Sequence, residues 1–252
     1  KLITLLLAVA GYVCTASAWS DAIYLRCDNG HWSSNDEVCK LTKVNDNAFY
    51  IVLNSSNVLS GLTDFYYRFY ISDDNGYQMG AWTNSYEMTN GYNYGCNKNE
   101  SNAFKIANVS NYSSIIILLW YDESEKGDNT APNNCWRTSI ITNGQTANIK
   151  YDNSSSSFTT PCAYVYESDG KSVGKWPGTA MTSNGDGTYS LDNVPYGSNT
   201  IVIFSDNGSN QISDQDLSGD ASYNNSGIVS QKVSISSYGM ARGNMLYVAD
   251  LF

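Results

Sequence analysis

The feature that most constrains the fold is a period-two pattern of apolar residues in short segments. In the stretch FYYRFYI, residues 65–71, Phe65 and every second residue after it share one face of an extended strand. Similar segments lie at 47–53, 163–166, 188–191, 200–204, 231–235 and 245–248. The run IIILLWY at 115–121 is apolar throughout, which is typical of a central strand buried on both faces. No stretch keeps a 3.6-residue period over three helical turns, so the pattern predicts an all-β chain.

Turn residues separate most of these segments and set the predicted domain organisation. Asn90-Gly91 and Asp74-Asn75-Gly76 are typical hairpin turns. The polar stretch 151–161, rich in Ser, Thr and Asn, indicates a linker or an exposed crossing. Short strands at this spacing predict two tandem Ig-like β-sandwich domains, at 19–150 and 162–252.

Residues 1–18 are typical of a secretory signal peptide, because a lysine precedes an apolar run that ends in Ala16-Ser17-Ala18. The alternatives are a retained anchor and a buried strand. Seven Asn-x-Ser/Thr triplets agree with an extracellular glycoprotein. They begin at Asn54, Asn99, Asn108, Asn111, Asn153, Asn207 and Asn224.

The cysteine count favours an oxidising compartment. The chain has six cysteines, and removal of the leader, which contains Cys14, leaves five. We predict disulfides between Cys27 and Cys39 and between Cys96 and Cys135, although spacing alone does not fix the pairing. Cys162 is then free, bridged to another molecule, or paired with a retained Cys14.

Charge and motif content disfavour several classes of function. A formal net charge of −10 and the lack of a basic stripe exclude nucleic acid as a partner, and they disfavour anionic membranes beyond the signal segment. The only histidine, His31, has no recognisable nucleophile motif beside it and is expected in a surface loop. We therefore predict no enzymatic activity and no catalytic residues.

Two acidic stretches offer oxygen atoms of the kind that calcium prefers, at 73–76 and 214–220. Neither has the spacing of an EF-hand loop, and Asp, Asn and Gly are also ordinary turn residues. We interpret both as turns, and we predict neither a metal site nor a cofactor.

The stretch AYVY at 163–166 places Tyr164 and Tyr166 on one face of a strand. The sequence Trp176-Pro-Gly178 cannot continue a central strand, because proline lacks the backbone donor. Trp176 is therefore expected at a strand end or in a loop. Aromatic rings so placed can form a flat surface for sugars, or they can be core, and periodicity alone leaves both open.

A resemblance to a known family bears on that choice. The motifs AYVY (163–166), WPGTAM (176–181), NGDGTY (184–189) and VIF followed by NGSNQ (202–211) resemble the family 26 starch-binding carbohydrate-binding modules. The resemblance implies an α-1,4-glucan ligand lying on strand tyrosines and on the tryptophan of the turn, with amide side chains bonded to its hydroxyls. Carried over, the binding residues are Tyr164, Tyr166, Trp176, Gln211 and Asn210. The Asn207 sequon lies beside this site.

The N-terminal half is only faintly similar to the small Ig-like starch-binding modules of outer-surface proteins, through Ile23–Arg26 and Gly80–Trp82. We expect its tryptophans Trp82, Trp120 and Trp136 to be core. Two functions follow. The first is a secreted, non-catalytic carbohydrate-binding protein for starch-like α-glucan. The alternative is a structural glycoprotein subunit that forms a homopolymer in an extracellular filament or surface layer, assembled through a retained leader or a Cys162 bridge.

Overall fold

A computed structural model describes residues 22–33, 35–72, 77–81, 86–89, 94–98, 101–121, 136–167, 171–172 and 174–233. Apart from two short 3₁₀ turns, at Glu37–Cys39 and Val109–Asn111, the regular structure in these ranges is β. The all-β prediction is therefore confirmed. The leader, the turns at 74–76 and 90–91, Trp82 and the expected strand at 245–248 lie outside the described residues.

The strands fall into an N-terminal and a C-terminal group. The first contains β1 (Ile23–Cys27), β2 (Thr42–Asn45), β3 (Ala48–Asn54), β4 (Phe65–Ile71), β5 (Tyr77–Gly80), β6 (Tyr86–Glu87), β7 (Tyr94–Lys98), β8 (Phe104–Ile106), β9 (Ser114–Tyr121) and β10 (Trp136–Thr142). The second contains β11 (Gln145–Asp152), β12 (Pro161–Glu167), β13 (Lys171–Ser172), β14 (Thr179–Ala180), β15 (Thr182–Ser183), β16 (Thr188–Tyr196), β17 (Thr200–Asp206), β18 (Gln215–Asp216), β19 (Gly219–Asn224) and β20 (Gly227–Val233).

The N-terminal group forms one ten-stranded sheet, which we call the N-terminal unit. Its order is β2-β3-β9-β10-β7-β5-β4-β8-β6, with β1 added to β4. A single core draws side chains both from β1 and β4 and from β3 and β9, so the sheet folds over on itself. Trp136 is in this core and Trp120 is buried on the outer face of β9, which confirms both as buried residues.

Two strand predictions in this unit are confirmed in detail. β4 alternates between fully buried residues, beginning with Phe65, and half-buried ones, beginning with Tyr66. In β9 the six residues between Ser114 and Tyr121 are all buried. β9 is central, because it pairs with β3 on one side and with β10 on the other.

The C-terminal group forms two five-stranded sheets around a second core, which we call the C-terminal unit. One sheet has the order β15-β16-β11-β19-β20, and the other has β13-β12-β17-β18 with β14 added to β12. Tyr151 and Phe204 stack in the core between them, with ring centroids 4.6 Å apart. These sheets fit a β-sandwich, whereas the number of Ig-like units in the chain stays a prediction.

The start of the C-terminal unit differs from the predicted linker. β11 begins at Gln145, pairs with β16 and β19, and carries the fully buried Tyr151. Phe158 is also buried, and its backbone exchanges two hydrogen bonds with the Asn153 side chain. Residues 151–161 therefore belong to the sandwich, because two aromatic residues in this polar stretch fill its core.

The two units are in contact. The outer face of β3, β9 and β10 is apolar and buried, and Gly197 of the C-terminal unit packs closely against Ile141 on that face. Asn45 Nδ2 donates a hydrogen bond of 2.7 Å to Thr179 Oγ1 across the boundary. This contact explains why β9 is buried on both sides.

In the ranges described above, none of the helical segments has the length and apolar character needed to cross a membrane.

Candidate functional site

β12 has two chemically different faces, and this answers the question that periodicity left open. Ala163 and Val165 point into the core between the two C-terminal sheets. Tyr164 and Tyr166 alternate with them and are only partly buried, on the outer face. The two tyrosines are therefore available at a surface and are not core residues.

The outward tyrosines and Trp176 form a cluster, which we call the aromatic platform. The rings of Tyr164 and Tyr166 stack at 5.6 Å between centroids with 21° between their planes. The Trp176 ring meets Tyr164 edge to face at 5.3 Å and 75°. Trp176 is 36% exposed, so its indole presents a large apolar surface to solvent. Three predicted binding residues thus lie side by side.

Gly178 explains how Trp176 is held beside β12. It has a φ of +88°, and a Cβ added there would overlap the carbonyl oxygen of Ala163. The turn can therefore approach the β12 backbone only because residue 178 has no side chain. The Gly178 amide also closes the turn by donating to the carbonyl of Lys175. This close approach fixes the tryptophan next to Tyr164.

The loop after β17 lies against the indole edge of the platform. Gly208 donates its backbone amide to Ser205 Oγ at 3.1 Å. A Cβ built on Gly208 would lie 2.7 Å from the indole nitrogen of Trp176. The loop thus packs on the tryptophan, and the neighbouring sequon residue Asn207 is exposed within it.

The two predicted amides occupy different positions in this loop. Gln211 forms an isolated bridge with Ser205, which in turn pairs with Cys162 on β12. Residues directly opposite in a sheet share a face, so Gln211 leaves the sheet on the same face as Tyr164. Asn210 is exposed, and its carbonyl accepts the amide of Asp206. Gln211 is thus on the platform face, whereas Asn210 lies at the loop tip.

Asp214 is a platform residue that the motif comparison missed. The Tyr166 hydroxyl donates a 2.6 Å hydrogen bond to Asp214 Oδ2. This bond favours the protonated phenol and raises the pKa of Tyr166 to about 12, with smaller contributions from burial and from the negative charge. Asp214 stands out in the sequence only as part of an acidic turn, since its partner lies 48 residues earlier in the chain.

The platform is chemically suited to a polyhydroxylated ligand. Flat aromatic faces offer apolar area for the C–H groups of a sugar ring, while a carboxylate and an amide at the margin can accept and donate hydrogen bonds to hydroxyls. The class of ligand that these groups suit is a carbohydrate bound without a covalent step.

The comparison with protein families agrees with this class. Residues 149–217 match the model of CBM26, starch-binding module 26. The matched segment runs from the middle of β11 to the residue after β18, and it contains every platform residue named above. The resemblance to a starch-binding module is thereby confirmed for this part of the chain. No curated protein and no solved structure gave a significant match.

The predicted cysteine pairs stay predictions. Cys27 and Cys39 are buried thiols whose sulfur atoms lie 3.7 Å apart, and Cys96 is a buried thiol opposite Trp136. Cys135 lies outside the described residues. Cys162 is 3% exposed, and burial raises the pKa of its thiol.

The histidine, the sequon asparagines and the acidic turns predicted from the sequence lie as follows. His31 lies in a loop, as expected, with Nδ1 2.5 Å from Asp36 Oδ2. Asn108, Asn111 and Asn207 are exposed, Asn54, Asn153 and Asn224 are half-buried, and Asn99 is outside the described ranges. Within those ranges, no group of three His, Cys, Asp or Glu side chains could hold a metal ion. Asp220 Oδ1 instead accepts the amide of Asn148.

Proposed function

We propose that this protein is a secreted, non-catalytic carbohydrate-binding protein that recognises starch-like α-glucan on the aromatic platform. The observation that carries the proposal is the outward stack of Tyr164 and Tyr166 with Trp176 edge-on, inside a segment that matches a starch-binding module. A cluster of partly exposed aromatic rings on one face is an apolar surface patch of the kind that favours a ligand-binding site.

Each platform residue has a role in the proposal. Trp176 and Tyr164 supply the apolar faces on which glucose rings stack. Tyr166 extends that surface, and its hydrogen bond to Asp214 fixes the orientation of the phenol. Gln211 and Asn210 bond to hydroxyls at the margin. Sites of this kind bind weakly individually, so the target is a polymer that offers many equivalent segments.

The test is sedimentation of the full chain with granular starch, comparing wild type with Trp176→Ala. Loss of a well-placed aromatic anchor costs on the order of 2 kcal/mol in binding, so we expect about a thirtyfold weaker association. Tyr86→Ala is the matched control, because Tyr86 is 37% exposed, like Trp176, but lies on the N-terminal unit.

The sedimentation experiment has three informative outcomes. Binding by wild type and Tyr86→Ala, but not by Trp176→Ala, would support the platform as the site. Equal binding by all three proteins would show that the binding site lies outside the platform. A wild type that stays in the supernatant would refute α-glucan as the ligand. The protein should be made without glycan at Asn207, since a glycan there would stand next to Trp176.

Secretion can be tested separately, through the oxidation state of the buried cysteines. Cys27 and Cys39 need only a small approach to reach disulfide geometry, because their sulfur atoms are already in contact. We expect protein from an oxidising host to show this pair linked in non-reducing peptide mass spectrometry. Cys27→Ala is expected to lower stability by about 2–4 kcal/mol in such material. Free thiols in that material would contradict secretion through an oxidising compartment.

A structural role in an extracellular filament or surface layer is the second hypothesis. β20 is the last strand of its sheet within the described part of the chain, and Ile228 and Val229 on it are 43% and 60% exposed. Exposed apolar residues on an edge strand favour pairing with a second chain. The burial of Cys162, in contrast, disfavours a bridge between subunits. Polymers seen by electron microscopy, and lost in Val229→Lys, would favour this role.

A further inference from the structure

A groove at the boundary of the two units begins at Trp176 and leads away from the matched segment. It has a volume of about 320 Å³, within the range of small-ligand sites. The C-terminal unit contributes the turn Lys175–Gly178. The N-terminal unit contributes the turn residues Asn45–Ala48 and the end of β9, at Trp120 and Tyr121. The platform tryptophan is therefore shared between the two surfaces.

We infer that the N-terminal unit supplies a second part of the sugar-binding surface along this groove, and that the complete site holds a longer α-glucan than the aromatic platform alone. The inference rests on the proposed function. It assigns a binding role to Asp46 and Asn47, which lie about 100 residues before the matched segment.

The position of this turn relative to the platform is fixed by direct contacts. Asn45 Nδ2 donates to Thr179 Oγ1 at 2.7 Å, one residue after the glycine that holds Trp176 in place. The Asn45 side chain also accepts the amide of Asn47 at 2.8 Å, which shapes the turn. One asparagine thus positions both the groove wall and its contact with the C-terminal unit.

The chemistry of the wall suits sugar hydroxyls. Asp46 is 61% exposed, and its carboxylate, which pairs with Lys43 at 2.7 Å, retains further acceptor sites. Asn47 is half-buried and lines the same groove, so its amide side chain adds hydrogen-bonding groups to this wall.

The test compares a short with a long ligand on the full chain. We would measure binding of maltose and of maltoheptaose by calorimetry for wild type and for the double variant Asp46→Ala/Asn47→Ala. Loss of one or two hydrogen bonds predicts about fivefold weaker binding of maltoheptaose, with maltose binding unchanged. Glu37→Ala is the matched control, since Glu37 also forms an exposed i,i+3 pair, with Lys40, on the N-terminal unit.

Each outcome separates this inference from the proposed function. A selective loss for maltoheptaose in the double variant, absent in Glu37→Ala, supports the extended site, and unchanged maltose binding shows that the platform is folded. Equal binding of maltoheptaose by wild type and double variant overturns the extended site but leaves the platform intact. A wild type that binds maltose and maltoheptaose equally also overturns it. A wild type that binds neither refutes the proposed function itself.

Discussion

Two strands of this protein carry the same aromatic pattern with opposite results. In β4, Phe65 and Tyr67 stack at 5.7 Å with 18° between their planes, and both are fully buried. In β12, Tyr164 and Tyr166 stack at 5.6 Å and 21°, and both remain partly exposed. Ring geometry in the two pairs is therefore nearly identical, while access to solvent is not.

The comparison separates what a strand determines from what its neighbours determine. Residues i and i+2 on a strand lie on one face at a fixed spacing, so their aromatic rings come into contact. The contact is stacked for Phe65 and Tyr67 and edge to face for Tyr67 and Phe69. Burial depends on whether another layer covers that face. The ring of Phe104, a buried residue, lies 5.4 Å from that of Tyr67, whereas the ring that meets Tyr164 edge to face is that of the partly exposed Trp176.

The largest effect is expected from a substitution that removes one ring of the buried stack in β4. Phe65→Ala removes a fully buried ring from the core of the N-terminal unit, and we expect a loss of ~3–5 kcal/mol in the free energy of unfolding. The matching Tyr166→Ala removes a partly exposed ring and should cost less than about 1.5 kcal/mol. Urea denaturation of both variants measures the difference, and similar losses would contradict the assignment of the two faces.

The second largest effect is expected from a substitution that displaces Trp176 but leaves the three rings of the aromatic platform unchanged. Gly178→Ala places a methyl group in the backbone of β12 and forces a side chain into a φ of +88°. We expect about 1–3 kcal/mol of destabilisation and a loss of starch binding, because Trp176 moves away from Tyr164. Gly185→Ala is the control for positive φ alone, since Gly185 has a φ of +81° and open space around it. Starch binding retained in Gly178→Ala would show that the turn does not position the tryptophan.

The smallest effect distinguishes the tyrosines of the two stacks by their titration. Burial raises the pKa of Tyr67, whereas the hydrogen bond to Asp214 is the main cause that raises the pKa of Tyr166 to about 12. The folded state therefore holds the Tyr166 proton more tightly than the unfolded state. The stability from this bond is complete below about pH 10 and is lost as the pH rises towards 12.

Asp214→Asn should lower the pKa of Tyr166, because it removes the carboxylate that favours the protonated phenol. We expect one phenol to titrate at lower pH than in wild type when absorbance at 295 nm is followed above pH 9, while the titration of the buried tyrosines stays unchanged. Asp192→Asn is the control, because Asp192 is an exposed carboxylate on β16 of the same unit. An identical titration curve in Asp214→Asn and wild type would show that the bond to Tyr166 is not formed in solution.

Local patterns in the sequence predicted the strands well. The alternation in β4, the continuous apolar run of β9 and the position of Tyr164 and Tyr166 on one face all depend on residues close together in the chain. The family resemblance predicted that Trp176 and Gln211 lie on the same surface as these tyrosines. This depends on the spacing of turns and strands within one module, which determines which residues meet.

The segment 151–161 is polar by composition, and composition did not reveal that Tyr151 and Phe158 within it fill a core built by strands far along the chain. Asp214 was missed for a similar reason, since its partner is 48 residues away. Sequence by itself determined the all-β character and the faces of individual strands, because side-chain alternation is a local property of the backbone. Only the tertiary structure decided which faces are covered, and it brought Asp46 and Asn47 to a groove shared with Trp176, because contacts between distant strands leave no periodic signal in the chain.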